Sequence, residues 1–327
     1  GDGTTEHASD GADTIYAGTG NDTIYAGGGS DTVYTNLGND TIYAGEGSDT
    51  IYGGKGAINY IYGGSNTDEQ GNDTVSYENI SSSVTVRLNN GLADNKSIGF
   101  AQSSGNSDQL FHIHNVIGTN YADDIIGSNQ ANIIHGGAGN DIINGLGGDN
   151  SLYGEVGDDT LISGSGNNLI DGGDGSDTVD YSTLKDANFV TDDSTSGKVS
   201  NVFDFKTPTN SFTNVYFDGI KVDISNENSQ RIHQNYGNDT LISIENIIGS
   251  GRDDYIVGNN SSNYLSGGAG DDYFVLKGGV DTIFGGAGEN SVQFSDDSRT
   301  IGINVNLTKN QTLGSTDTYR VINDGFG

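Results

Sequence analysis

The chain has 327 residues, a formal charge of −32 from 13 Lys+Arg against 45 Asp+Glu, 53 Gly, one Pro, and no Cys, Met or Trp. Absence of cysteine removes disulfide scaffolds, zinc–thiolate sites and thiol catalysis. The charge argues against nucleic acid and anionic membrane surfaces as partners, and no apolar run is long enough to insert in a bilayer. With only 32% hydrophobic residues, the alternatives are disorder or a regular repeat whose charge is neutralised by something bound.

From Ala8 to Tyr52 the chain divides into nine-residue units: ASDGADTIY, AGTGNDTIY, AGGGSDTVY, TNLGNDTIY and AGEGSDTIY. Their sixth residues are Asp13, Asp22, Asp31, Asp40 and Asp49, and their eighth are Ile15, Ile24, Val33, Ile42 and Ile51. The glycine-rich part suits a tight turn with positive φ. The next three residues suit a short strand with its middle side chain on one face. Strand, turn, strand, turn predicts a flattened right-handed spiral of two thin parallel sheets, with two units per circuit. Turns on one edge then stack every 18 residues.

That stacking brings aspartates together, and neighbouring carboxylates cannot cheaply stay ionised and unpaired. A hard divalent cation removes the repulsion and takes further oxygens from turn carbonyls. Ligands that are all oxygen select calcium over transition metals.

The phase returns from Gly118 to Asp180, with Asp123, Asn132, Asp141, Asn150, Asp159, Asn168 and Asp177 in sixth place. The strict alternation predicts one edge of Asp that holds calcium and one of hydrogen-bonded Asn with few or no ions. It returns again from Gly249 to Gln293 with Asp254, Asn263, Asp272, Asp281 and Asn290. Pairs one circuit apart are 13/31, 31/49, 22/40, 123/141, 141/159, 159/177 and 254/272, while Asp281 faces Asn263. Asp73 completes the set of expected metal ligands.

Between rolls the chain follows a second pattern. Val75-Ser76-Tyr77, Val179-Asp180-Tyr181 and Val292-Gln293-Phe294 end the rolls. Alternating strands follow at Val84–Leu88, Ile220–Ile224 and Ile303–Leu307, expected as antiparallel pieces that widen the sheets and cover roll ends. A return segment, Asp108-x-Leu110-x-x-Ile113, matches Asp239-x-Leu241-x-x-Ile244 and begins again at Asp317-x-Tyr319-x-x-Ile322. Lys185 to Val215, with Pro208, is a larger β excursion or a loop.

The reading is all-β: a right-handed parallel β-roll in three blocks with short antiparallel or capping strands between. Residues 1–77, 118–181 and 249–294 are rolls, 78–117 and 182–248 link them, and 295–327 starts a further link. The chain opens at Gly1-Asp2-Gly3 without methionine or a signal-like segment and closes at Gly325-Phe326-Gly327, which reads as a piece of something longer.

Tyr16, Tyr25, Tyr34, Tyr43 and Tyr52, with the Thr two residues before each, form outward ladders. They suit either a glycan or cell-surface ligand or simple cross-strand packing. His112 and His114 share a strand face, but their counterparts in the next copy are Ser243 and Glu245, so they read as a surface pair; two imidazoles make an incomplete metal site. No G-x-S-x-G or H-E-x-x-H occurs, and the repeat already accounts for most carboxylates. The Thr pattern of an ice-binding ladder is missing.

GTGNDTIYA, GGGSDTVYT and GGAGNDIIN resemble the nonapeptides of the repeats-in-toxin (RTX) family. The resemblance implies a calcium-loaded parallel β-roll that is exported by the type I secretion machinery, stays unfolded in low-calcium cytosol and folds outside the cell. It leads to the expectation of a non-catalytic module of a secreted bacterial surface adhesin. The alternatives are the C-terminal module of an exported protease, lipase or polysaccharide-modifying enzyme, and a surface-layer protein.

Overall fold

Each repeat supplies one short strand and one turn, and the stacking of like strands generates the architecture. The computed structural model describes residues 5–7, 11–53, 58–64, 71–88, 99–103, 106–184, 198–203, 212–233, 236–294, 306–307 and 320–322; every regular element among them is a β-strand. The chain forms two units, Gly1–Ile162 with Asp171–Gly175, and Ser163–Ile170 with Ser176–Gly327.

In the first unit, one sheet runs parallel through Thr14–Tyr16, Thr32–Tyr34, Thr50–Tyr52, Thr74–Ser76, Asn115–Ile117, Ile133–Ala138 and Ser151–Val156. The 18-residue register is explicit: Ile15 lies beside Val33, and Val33 beside Ile51. The other sheet takes the alternate strands Thr23–Gly28, Thr41–Glu46 and Ile58–Tyr62. Ile24, Ile42, Ile61, Val33, Ile51 and Val75 are wholly buried. About one large aliphatic per unit makes a narrow core, a small contribution against the entropy of ordering nine residues.

The first link is sewn into this second sheet rather than placed over a roll end. Thr85–Arg87 pairs antiparallel with Gly99–Ser103, which pairs antiparallel with Asn106–Phe111. The outer edges of this three-stranded piece are parallel to the rolls on either side, Thr85–Arg87 to Asp124–Ile126 and Asn106–Phe111 to Ile58–Tyr62. The antiparallel expectation therefore describes the inside of the link. Its flanking strands run with the rolls because their alternation continues the core: Val84, Val86, Leu110 and Ile125 are all buried.

In the second unit, Thr178–Asp180, Asn246–Ile248, Tyr264–Ala269, Thr282–Ala287 and Asn306–Leu307 form one parallel series. Lys221–Asp223, Tyr255–Val257, Tyr273–Leu276, Ser291–Phe294 and Arg320–Ile322 form another. Tyr273, Val257 and Val275 are buried with Phe217, with Tyr255 packed against them, so this sheet has packing on both faces. Within 185–215 the described strands Lys198–Phe203 and Phe212–Tyr216 make an antiparallel hairpin; the rest of that segment lies outside the described residues. So do Ile303–Val305 and Asp317–Tyr319.

Candidate metal centre

The sixth residues form columns along the turn edges, and one hydrogen bond repeats down each. The amide N–H of Asp13 donates to Asp31 Oδ1 at 2.8 Å, that of Asp31 to Asp49 Oδ1 at 2.8 Å, and that of Asp49 to Asp73 Oδ1 at 2.9 Å. On the other edge Asp22 donates to Asp40, and Asp40 to Asn59, each at 2.9 Å. In the second roll Asp123 donates to Asp141 and Asp141 to Asp159, both at 2.7 Å. In the third, Asp254 donates to Asp272 at 2.9 Å, and Asn263 to Asp281 at 3.1 Å. Asp177 donates to Glu245 Oε2 at 3.0 Å.

One carboxylate oxygen is used in this way. The other, Oδ2, is buried and has no hydrogen-bond partner on Asp13, Asp31, Asp40, Asp49, Asp141 and Asp272. A desolvated acceptor without a donor is costly, and a desolvated charge more so. Burial pushes Asp49 up to about 6, with Asp31's charge adding. Burial, then Asp123 and Asp159, lift Asp141 to about 7. Burial, then the charge of Asp254, lifts Asp272 to about 9. Circuit neighbours thus repel as their spacing requires.

The Asn edge is different. Asn132 N–H donates to Asn150 Oδ1 at 2.9 Å, the same ladder bond. The second side-chain atom is now a donor. Asn150 Nδ2 reaches Gly148 O at 3.1 Å, and Asn132 Nδ2 reaches Ser128 Oγ at 3.1 Å and His114 O at 2.7 Å. At Asn132 and Asn150 an amide nitrogen closes the turn from within. The same place in the turns of Asp31, Asp40, Asp49, Asp141 and Asp272 holds an oxygen that no donor meets, the kind of ligand a hard cation takes. Calcium fits there. Among the described residues no three carboxylate or imidazole side chains converge, so such an ion would also draw on turn carbonyls.

Those carbonyls are stacked by glycine. Gly45 (φ 110°) and Gly47 (φ 120°) adopt the left-handed region, and a Cβ on them would lie 1.9 Å from Gly27 O and 1.8 Å from Gly29 O. The second position tolerates left-handed Asn36, Leu146 and Glu155 as well, with φ of 59°, 61° and 77°.

Three features escaped the sequence reading. The fifth residues make a parallel ladder of opposite polarity, Asn39 N–H to Asn21 Oδ1 at 2.9 Å and Asp271 N–H to Asp253 Oδ1 at 2.6 Å; the signal was the recurring Asn, Ser or Asp there. The return segments are roll steps, since Asp108-x-Leu110 and Asp239-x-Leu241 repeat the D-x-aliphatic core. Asn59 Nδ2 donates to Asp108 Oδ1 at 2.8 Å and Asn168 N–H to Asp239 Oδ1 at 3.2 Å. Finally, His114 occupies the column place after Asp73, because Asn115 pairs with Thr74. Its ring is half-buried, and burial followed by His112 holds it below the usual imidazole range.

The tyrosines do form ladders. Tyr16, Tyr34 and Tyr52 stack at 4.7 and 4.4 Å, and Tyr25, Tyr43, Tyr62 and Phe111 at 4.9, 4.9 and 4.3 Å.

No curated protein matches the chain. The profile of the RTX calcium-binding nonapeptide repeat matches residues 7–42, 29–57, 117–152, 153–182, 248–283 and 277–293, the three rolls of the fold. The chain belongs to the RTX calcium-binding nonapeptide-repeat family.

Proposed function

We propose that this is a non-catalytic, calcium-dependent module of a secreted bacterial protein, folding when its turns meet extracellular calcium and serving as a secretion and structural region of a surface adhesin. The observation that carries the calcium reading is the buried, partnerless Oδ2 on Asp31, Asp40, Asp49, Asp141 and Asp272. Ions held there would draw on these carboxylates and the stacked turn carbonyls, and they would convert repulsion into cohesion. In low-calcium cytosol the same repulsion keeps the chain unfolded and exportable. A stiff extracellular role is supported within the first unit, where the first roll, its link and the second roll as far as Ile162 share continuous sheets.

Far-UV circular dichroism tests the folding claim. A disordered spectrum in chelator should give way to strand on calcium titration; equal strand content without calcium would overturn it. Adhesion is tested by calcium-dependent binding of the purified chain to glycan arrays and cells. Within each ladder the tyrosines already cover one another's ring faces, so the ring edges and hydroxyls are the surface offered to such a ligand.

A further inference from the structure

Not every Asp turn is left with an open oxygen. Thr119 N–H donates to Asp123 Oδ2 at 2.6 Å, Thr119 Oγ donates to Asp123 Oδ1 at 2.9 Å, and Val84 N–H donates to Oδ1 at 2.7 Å. The third roll repeats this: Ser250 N–H to Asp254 Oδ2 at 2.7 Å, Ser250 Oγ to Oδ1 at 2.6 Å, and Ile220 N–H to Oδ1 at 2.7 Å. Each carboxylate receives three donors. The next turns close in the same way. Ser128 N–H donates to Asn132 Oδ1 at 2.7 Å and Asn259 N–H to Asn263 Oδ1 at 3.0 Å.

Among the turns whose second residue is described, which leaves out Asp13 with Ser9, that residue separates the two kinds. In the open turns of Asp31, Asp40, Asp49, Asp141 and Asp272 it is Gly27, Asn36, Gly45, Gly137 or Gly268, all with positive φ. The glycines among these lie in the parallel ladder between circuits: Gly27 beside Gly45, Gly137 beside Glu155 and Gly268 beside Gly286. Thr119, Ser128, Ser250 and Asn259 are outside the positive-φ set, and their N–H groups turn back onto the sixth side chain of their own turn.

We propose that the second residue of each nonapeptide decides whether its turn takes calcium, so that Asp123 and Asp254 are internally capped and hold none. This rests on the calcium reading above. Both rolls that follow a link therefore begin on two ion-free turns, 118–123 with 127–132 and 249–254 with 258–263. These turns satisfy their own polar groups before any metal arrives, and they give the calcium-dependent turns a finished surface to stack on.

The test is an anomalous-difference map of the full chain crystallised with calcium, in the wild type and in Thr119→Gly and Ser250→Gly. Peaks are expected beside the carboxylates of Asp141 and Asp272 and absent from Asp123 and Asp254. Each glycine variant should gain one ion at its own turn, while Thr119→Ser and Ser250→Thr should gain none. A wild-type peak on Asp123 or Asp254, or glycine variants that gain nothing, overturns the inference and leaves calcium binding itself standing. Absence of calcium from every turn would overturn the underlying reading together with it.

Discussion

The phenolic hydroxyl of Tyr77 donates to Asp108 Oδ2 at 3.1 Å, joining the residue on which the first roll ends to the residue on which the chain returns. The second copy repeats the bond, Tyr181 to Asp239 Oδ2 at 3.0 Å, with Ser163 Oγ also donating at 2.7 Å. Both tyrosines are buried, and burial followed by the facing carboxylate drives their hydroxyls well above the usual range, so they act as donors. A side-chain hydroxyl thus supplies, where the column meets a link, the donor that Asp31 and Asp141 lack.

Tyr77→Phe keeps the ring and removes one hydrogen bond to the buried carboxylate of Asp108. The expected cost is about 1–3 kcal/mol, read as a lower denaturation midpoint of the calcium-loaded protein, and Tyr181→Phe should behave alike. An unchanged midpoint in both would show that the hydroxyls contribute nothing. Phe294 already stands at the corresponding place after the third roll.

Acid should substitute for calcium. Asp49, Asp141 and Asp272 rise from 3.8 to about 6, 7 and 9 in the metal-free fold, so that fold binds more protons than the unfolded chain. The contribution of these three groups to its stability is fully present below about pH 4 and is lost as pH rises through 6 to 9. In chelator, strand content should be higher at pH 5 than at pH 8. With calcium present the protons compete for the same oxygens, so apparent affinity should fall on acidification and binding at pH 7 should release protons. Strand content in chelator that rises with pH would contradict this.

Asp141→Asn should convert an open turn into the kind built around Asn150, whose Nδ2 donates to Gly148 O. Loss of a buried charge beside Asp123 and Asp159 should raise the denaturation midpoint of the chelated protein. The calcium-loaded protein should bind one ion fewer by calorimetry. A variant that binds the full complement would remove Asp141 from the ligand set.

The roll was legible because its two periods, two residues along a strand and 18 around a circuit, are written in single residues such as Ile24 and Asp22. The separation of Asp and Asn edges followed from the same count. The internal capping by Thr119 and Ser250 was not legible, since it depends on the sign of φ at one position, and Asn36, Leu146 and Glu155 show that a side chain there does not fix that sign. The Tyr77–Asp108 bond joins residues 31 apart across a link, a distance set by strand order rather than by repeat length. The parallel outer pairing of the link was hidden because Val84-x-Val86 alternates identically in either direction.

The tyrosine ladder makes a prediction that separates packing from recognition. Tyr43 lies between Tyr25 and Tyr62 at 4.9 Å on each side, so Tyr43→Ala removes two stacked contacts, each contributing about 0.5–1.5 kcal/mol beyond the area buried. Tyr16 has one such neighbour, Tyr34 at 4.7 Å, and is 65% exposed. If the ladder is packing, Tyr43→Ala should lower the calcium-loaded midpoint about twice as far as Tyr16→Ala, and neither should alter binding to cells or glycans. If the hydroxyl row is a recognition surface, Tyr25→Phe with Tyr43→Phe should abolish binding while leaving the midpoint unchanged, because phenylalanine keeps the stacking and removes only the edge oxygens.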